Sequence, residues 1–595
     1  MNSETKFFYL REKEKFVFEL QSVSSFLKRM VWYRLFSFVL IFAPVSILGF
    51  QNWLTLIFTV VFIVFFFFLV KKNINLEKEK RKLTVLKKLV DDELLAFEHE
   101  FSHFESGKEF LDTDHFFSYD LDLFGEGSLF QFLNRTSTRG GRKKLADWLI
   151  KPELGKKEIE NKQQAIKELA KESEWRLQFL ASGLLFEETE EMALEIKSWA
   201  ETELDFRKST LTKWLIKFVP ILTLLALIPS IAGFSNLFIS VMVLIQWVLM
   251  FSYVKQINRY FSFFGQKSEL LEKYMQLLQL IEKSEFQSEY LLAMQNKVQQ
   301  PVSASKIFKE LKNLVKEFEY RGNIIVGFFL NSFFLWDIRC VYKLWKWHRE
   351  NHKKLALWIE VISKTDALIS LSNFADNHTE YIFPSVYEGN FTFSAKQMGH
   401  PLLNPVKRVN NDMEISGWSK ALIITGANMA GKSTFLRTVG VNLVLARMGA
   451  PVCAEKMTFI PVKIYTNMRT TDSLLKDESY FFAELKRIKG VLDRLQNGER
   501  FFVILDEMLK GTNSVDKLNG SQELIRKLLA LNSVSLIATH DLKLSEIEHE
   551  FPHQVFNKCF EIRIENEELV FDYKLSDGIT QTMNATFLMK KMGII

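Results

Sequence analysis

Cysteine is scarce in this 595-residue chain, and Cys340, Cys453 and Cys559 stand far apart, without a Cys-x-x-Cys pair or a histidine at metal spacing. That pattern gives neither a disulfide framework nor a cysteine-bound metal, and it fits a reducing cytosol. Proline is also sparse, at 11 residues, and with 48% hydrophobic and 25% charged residues the composition excludes a disordered or collagen-like chain. The same charged fraction excludes a chain made mostly of membrane spans. Lys+Arg 77 against Asp+Glu 71 leaves a net charge of only +6, weak support for a nucleic-acid partner on its own. The most informative lack is local. From Leu35 to Val70 there are 36 residues without Asp, Glu, Lys, Arg or His, and from Phe218 to Val254 there are 37.

At 1.5 Å per residue each run would reach ~54 Å as one helix, too long for a single crossing of a ~30 Å hydrocarbon core and suited to two short spans with a turn. Turn formers sit near both midpoints: Gly49, Gln51 and Asn52 in the first run, and Pro229, Ser230, Gly233, Ser235 and Asn236 in the second. The expectation is two helical hairpins, four spans in all. Lys28, Arg29 and Arg34 precede the first run and Lys71, Lys72, Lys78, Lys80, Arg81 and Lys82 follow it; Lys213 and Lys217 precede the second, and Lys255 and Arg259 follow. Cations at the bases and none at the tips put the N-terminus, the middle and the C-terminal half on the cytoplasmic side of the inner membrane. A third apolar stretch, Ile324 to Trp336, has only 13 residues and contains Asn331 and Ser332, so it reads as a core helix.

Lys71 to Phe110 is charged with helical apolar spacing, which suits a helix leaving the membrane. Ser268 to Gln299 carries Leu270, Leu271, Tyr274, Leu277, Leu278 and Ile281 at three-and-four spacing and reads as one long amphipathic helix ending before Pro301. From about Pro401 short apolar runs alternate with helical segments, the mark of a parallel α/β domain.

That domain holds the strongest motif. The apolar strand Ala421 to Thr425 runs into Gly426, Ala427, Asn428, Met429, Ala430, Gly431, Lys432 and Ser433, which fits Gly-x-x-x-x-Gly-Lys-Ser, followed by Thr434 and a helical pattern. The glycines let the backbone wrap phosphates, the helix N-terminus supplies positive dipole ends, Lys432 reaches the β- and γ-phosphates, and Ser433 ligates Mg2+. Phe501 to Leu505 is a second apolar strand ending in Asp506 and Glu507, one carboxylate for Mg2+ and one for the attacking water of ATP hydrolysis. A third strand, Val534 to Ala538, ends in Thr539 and His540, which makes His540 a candidate γ-phosphate sensor.

These residues resemble the MutS family. The run Gly426 to Thr434 with Asn428 and Met429 inside it, His400 to Leu403, Asn411 and Asp412, Asp506 to Asn513, Ala538 to His540 and Tyr573 to Gly578 all match, and Asn134 to Arg142 more faintly resembles the start of the family's helical lever domain. The resemblance implies a homodimer through the ATPase domains with two composite ATP sites. The segment Asp477 to Leu485 resembles the one that completes the partner's site, which makes Ser479 the candidate contact in trans. It further implies that Asn428 touches phosphate through its side chain. Departures matter as well. No glycine-flanked Phe-x-Glu mismatch wedge occurs near the N-terminus, and Phe186 and Glu188, which have that spacing, fall in a stretch that reads as helical core.

The expected architecture is α plus α/β: an N-terminal segment (1–30), a first transmembrane hairpin (31–71), a charged helical linker (72–114), a helical lever in two parts (115–212 and 256–398) around a second hairpin (213–255), and a P-loop, ABC-like ATPase domain (399–595). Two functions follow. In one, a membrane-anchored MutS-like ATPase couples ATP hydrolysis to DNA binding. In the other, the same engine drives transport, remodelling or signalling at the lipid membrane without DNA. The basic helix at Lys71 to Lys88 does not separate them, since phosphate of lipid and phosphate of DNA attract it alike.

Overall fold

The computed structural model of the chain describes residues 3–49, 52–202, 206, 209–265, 267–427, 429–469, 480–565 and 568–581. Among the described residues, four helical stretches are long and apolar enough to cross a membrane: Glu4–Leu48, Trp53–Phe97, Thr210–Ile231 and Leu237–Phe264. Large apolar side chains on them, Trp53, Leu56, Phe67 and Leu244 among them, point outward, while Ser37, Thr55, Thr223 and Gln246 are buried. The first turn is built as the turn formers predict, with Gly49 at φ 73° and the Asn52 side chain capping the next helix at Leu54 N; Gln51 lies outside the described residues. In the second, Ser230 and Asn236 side chains meet at 2.6 Å and Gly233 has φ 77°.

Trp53–Phe97 is one unbroken helix that leaves the first hairpin and buries Leu83, Leu86 and Val90 against Tyr9, Phe16, Leu177 and Ala181. It stops at Phe97, and Glu98 to Ser128 is almost entirely non-helical, so the charged linker is shorter as a helix than its pattern suggests. The helical region is organised around Trp336–Asn377, a 42-residue helix. Its fully buried Asp366 accepts hydrogen bonds from Ser137 N (3.0 Å), Thr138 N (2.8 Å) and the Thr138 hydroxyl (2.7 Å), which pins the start of helix Arg139–Ile150.

Three expectations need correction. The stretch Ser268 to Gln299 is two helices, Ser268–Lys283 and Glu289–Gln299. The break is tertiary: the Glu168 carboxylate accepts Gln287 N and Ser288 N, both at 2.7 Å, and Gln295 Nε2 donates to the Ile281 and Ser284 carbonyls, so the orphan groups of both helix ends find partners. Phe186 and Glu188 lie in the turn after helix Ser173–Leu184, where buried Glu188 bonds Lys273 Nζ (3.1 Å) and the Tyr274 hydroxyl (2.6 Å). Ile324–Phe334 is helical but not core: it buries Gly327, Asn331 and Ser332 and leaves Ile324, Ile325, Phe328 and Phe329 exposed.

Among the described residues the C-terminal part contains ten strands: β1 (Ser385–Val386), β2 (Thr392–Met398), β3 (Asn411–Ser416), β4 (Lys420–Gly426), β5 (Lys456–Phe459), β6 (Lys463–Asn467), β7 (Phe501–Asp506), β8 (Val534–Thr539), β9 (Val555–Glu565) and β10 (Glu568–Asp577). They form a small sheet in the order β1-β5-β2-β3 and a larger one in the order β10-β9-β4-β8-β7-β6. In the larger sheet β9, β4, β8, β7 and β6 run parallel and β10 is antiparallel at the edge. Parallel strands are covered on both faces, which is why these runs are continuously apolar. Leu422, Ile424, Phe502 and Ile504 join the core shared with helix Lys432–Met448 and the helical region, whereas Ala421, Ile423, Val503 and Leu505 face helices Tyr480–Gln496 and Ser514–Ala530.

Removing the Asp366 carboxylate leaves the Ser137 and Thr138 amides buried without an acceptor. Asp366→Ala should cost about 2–4 kcal/mol and lower the thermal unfolding midpoint in detergent. An unchanged midpoint would show that this clasp does not hold the helical region together.

Candidate functional site

The site forms where three neighbouring parallel strands end. β4 runs into the loop Ala427 to Gly431, and helix Lys432–Met448 starts directly after it. Gly426 has φ 153° and Gly431 φ 105°; a Cβ would lie 3.0 Å from the Phe560 carbonyl at the first and 3.1 Å from the Tyr573 ring at the second, so both positions require glycine. The Lys432 ammonium is buried and donates to the carbonyls of Gly426 (2.6 Å) and Ala427 (2.9 Å). Burial lowers its pKa, partly opposed by the nearby Glu507 and Asp506 carboxylates.

Asp506 ends β7 on the adjoining side. Burial raises its pKa, while a hydrogen bond from the Ser433 hydroxyl pulls the other way. Glu507 follows at φ 53° with its N–H bonded to Ala538 O (3.0 Å) at the end of β8, which aims the side chain across the strand ends. Its carboxylate meets His540 Nδ1 at 3.2 Å and Lys510 Nζ at 3.8 Å. Burial alone would raise Glu507, yet His540 and Lys510 outweigh it and hold the carboxyl below its usual value. It is therefore ionised near neutrality and able to accept a proton.

Ala427, Met429, Gly431, Lys432, Ser433, Thr434 and Glu507 line one cleft of about 390 Å³ with His400, Asn411 and Tyr573 on its opposite wall. Gly426 and Ala430 support the loop from behind, Asp506 reaches the cleft through Ser433, and His540 reaches it through Glu507. Asn428 and Ser479 lie outside the described residues. Asn411 positions the far wall: its side chain donates to Tyr573 O (3.0 Å) and accepts from Leu575 N (2.8 Å), tying β3 to β10.

Three contributors escaped the motif reading. Lys510 is the second cation on Glu507. Glu484, buried, accepts from Leu509 N (2.7 Å), Lys510 N (3.3 Å) and Asn467 Nδ2 (3.2 Å), so helix Tyr480–Gln496 holds the loop after Glu507 in place. A signal existed, because Glu484 falls on the stripe of Ile488, Val491 and Leu495, where a charge is out of place unless partnered. Asp120, also buried, accepts from the Thr466 hydroxyl (2.7 Å), Arg469 N (2.9 Å) and Arg487 Nη2 (3.3 Å), and Arg437 of the helix after the loop donates to its carbonyl (3.1 Å).

Comparison with known proteins follows this division. A family model described as MutS domain V matches residues 422–590, and one described as MutS domain III matches residues 118–372. The chain is 31% identical over 257 residues to MutS protein homolog 4 of Homo sapiens, covering 42% of this chain and 25% of that protein. It is 32% identical over 250 residues to the DNA mismatch repair protein MutS of Thermotoga petrophila, covering 41% of this chain and 31% of that one. With the DNA mismatch repair protein msh3 of Aspergillus terreus it shares 30% over 241 residues, 38% of this chain and 21% of the other. The chain thus spans between a fifth and a third of the length of these relatives.

His400, at the cleft, is held neutral: burial, aided by Arg437, lowers its pKa to about 4, and burial does the same to His378 in the helical region. A histidine depressed in the fold contributes stability above its unfolded value of about 6.5 that is lost as pH falls toward 4. Each site should contribute up to about 3 kcal/mol at 1.36 kcal/mol per pKa unit. Unfolding midpoints measured between pH 7 and 4 should fall less steeply in His400→Asn than in the unsubstituted protein; an unaltered slope in the variant would exclude His400 as a source.

Proposed function

Because this chain belongs to the MutS family, we propose that it is a membrane-anchored, Mg2+-dependent ATPase that couples ATP hydrolysis at composite dimer sites to DNA binding. The observation that carries this reading is the convergence of Lys432, Ser433, Asp506, Glu507 and His540 at the ends of β4, β7 and β8.

The residues fit the nucleotide. The loop has the two glycines that close backbone approach needs, a buried ammonium at its mouth, and a hydroxyl already paired with a strand-end carboxylate. ATP supplies the phosphoanhydride to be cleaved and Mg2+ neutralises charge on its phosphate oxygens. Loop amides from Ala427 to Gly431 and Lys432 hold phosphate, with Asn428 adding a side-chain contact and Thr434 continuing the helix N-terminus. Ser433 and Asp506 hold the ion. Glu507, ionised and anchored through its own N–H, takes the proton of the attacking water, and His540 orients Glu507 while reading the γ-phosphate. Ser479 of a second copy completes each site, and the dimer closes over it.

The two hairpins anchor the protein in the inner membrane with four spans, and the cations at their bases keep the nucleotide domain in the cytoplasm. DNA is favoured as the partner of the helical region because the MutS domain III model matches residues 118–372 there, beside the MutS domain V match at residues 422–590.

Glu507→Gln should cut ATP turnover by about 10²–10⁴-fold with nucleotide binding retained, and wild-type turnover would remove Glu507 from the mechanism. Detergent-solubilised protein should bind duplex or branched DNA in an ATP-dependent manner, with affinity falling steeply as salt rises. No affinity above the non-specific level at about 50 mM salt would overturn the DNA arm and leave the ATPase arm standing.

A further inference from the structure

Helix Ile324–Phe334 is inside-out for a water-soluble environment. Ile324 and Ile325 are 85% and 71% exposed and Phe328 and Phe329 are more than half exposed, while Asn331 and Ser332 are buried. Its 11 residues amount to ~16 Å, about half of a ~30 Å hydrocarbon core. At Leu335 the chain bends by 82° into helix Trp336–Asn377.

This short helix packs against the uncharged run of the second hairpin. Phe328 shares an apolar groove of about 610 Å³ with Val243, Leu244 and Trp247. Trp247 Nε1 donates to the Ser332 hydroxyl at 3.0 Å. At the bend the Leu335 N–H donates to Gln246 Oε1 (3.0 Å), and Gln246 Nε2 donates to the Thr223 hydroxyl (2.6 Å), with Gln246 and Thr223 both fully buried. Gln246 stands nine residues before Lys255, the cation that marks the base of its helix, hence ~13 Å into the apolar layer. A helix break at that depth is tolerated only where its backbone groups are satisfied inside the protein, which is what Gln246 does. The first acid after the bend, Asp337, is buried and faces Arg321 at 3.4 Å.

We propose that Ile324–Phe334 is a re-entrant membrane segment: it enters the hydrocarbon interior of the lipid bilayer beside the second hairpin, ends near mid-depth at Leu335, and turns out again as the long helix that carries Asp366. The inference rests on the four-span reading and goes beyond it. The exposed apolar face is continuous with that of the hairpin through the groove at Phe328, which identifies the occupant as lipid acyl chains. It also gives the lever helix a fixed foot within the membrane, with Gln246 as the lock.

The test is spin-label accessibility in full-length protein reconstituted into lipid nanodiscs, with Cys340, Cys453 and Cys559 replaced by Ala. Labels are placed singly at Phe328→Cys, at Leu244→Cys on the exposed face of the second hairpin, and at Val406→Cys on an exposed loop of the nucleotide domain. The expected result is that position 328 matches 244, with high oxygen and low nickel-chelate accessibility, and differs from 406. If 328 behaves like 406 while 244 remains in lipid, the re-entrant segment is overturned and the four-span reading survives. If 244 is also aqueous, the span reading itself fails and takes the proposal with it. Spin–spin broadening at 328 would assign the face to a second copy of the chain and likewise overturn the lipid occupant.

Discussion

The buried carboxylate of Asp120 is the contact on which the union of the helical region and the sheet domain depends. It sits in the short stretch after the linker and receives donors from Thr466 at β6, from the backbone at Arg469 and from Arg487 on helix Tyr480–Gln496. Its neighbour Asp122 faces Arg437 at 3.5 Å. A charge taken so far from water is tolerable only with every lone pair engaged, so these segments are confined to one arrangement. The same helix Tyr480–Gln496 presents Glu484 to the loop after Glu507. One helix therefore bonds both the entry of the helical region and the loop after Glu507, so the two are tied through a single element.

Much of the geometry of the candidate cleft was legible because it is set locally. Strands β4, β7 and β8 are short apolar runs ending in Gly426, Asp506 and Thr539, and a parallel sheet necessarily brings such ends to one edge. The hairpins were legible for the complementary reason, since absence of charge over 36 and 37 residues leaves few alternatives. What the pattern concealed depends on partners distant in the chain. Glu168 interrupts a helix at Gln287 and Ser288 that periodicity alone would continue, and Asp366 reaches residues more than two hundred positions away. Ile324 to Trp336 reads as core because 13 apolar residues suit a buried helix, and only the inward direction of Asn331 and Ser332 shows that its apolar face is turned out.

One rule governs both environments of the chain. In the sheet domain apolar side chains turn inward and the strand amides pair with one another. In the hairpins the surface is inverted, yet these polar groups meet partners: the Thr55 hydroxyl bonds Gly49 O (2.7 Å) at the first turn, and in the second hairpin Gln246 bonds Thr223 and accepts Leu335 N of the neighbouring segment. Exposed Phe is thus no anomaly of composition. It is the outer face of helices whose Thr55, Thr223 and Gln246 side chains bond inward.

Lys432 gives the cleft a particular thermodynamic character. Its ammonium already rests on the Gly426 and Ala427 carbonyls, buried and stripped of most of its water. The cost of dehydrating that cation is consequently met once, during folding, and not again at each encounter with an anion. Binding becomes an exchange of one set of oxygens for another at a prepositioned charge, so the enthalpy of the event reports a difference between two acceptors rather than the transfer of an ion out of solvent.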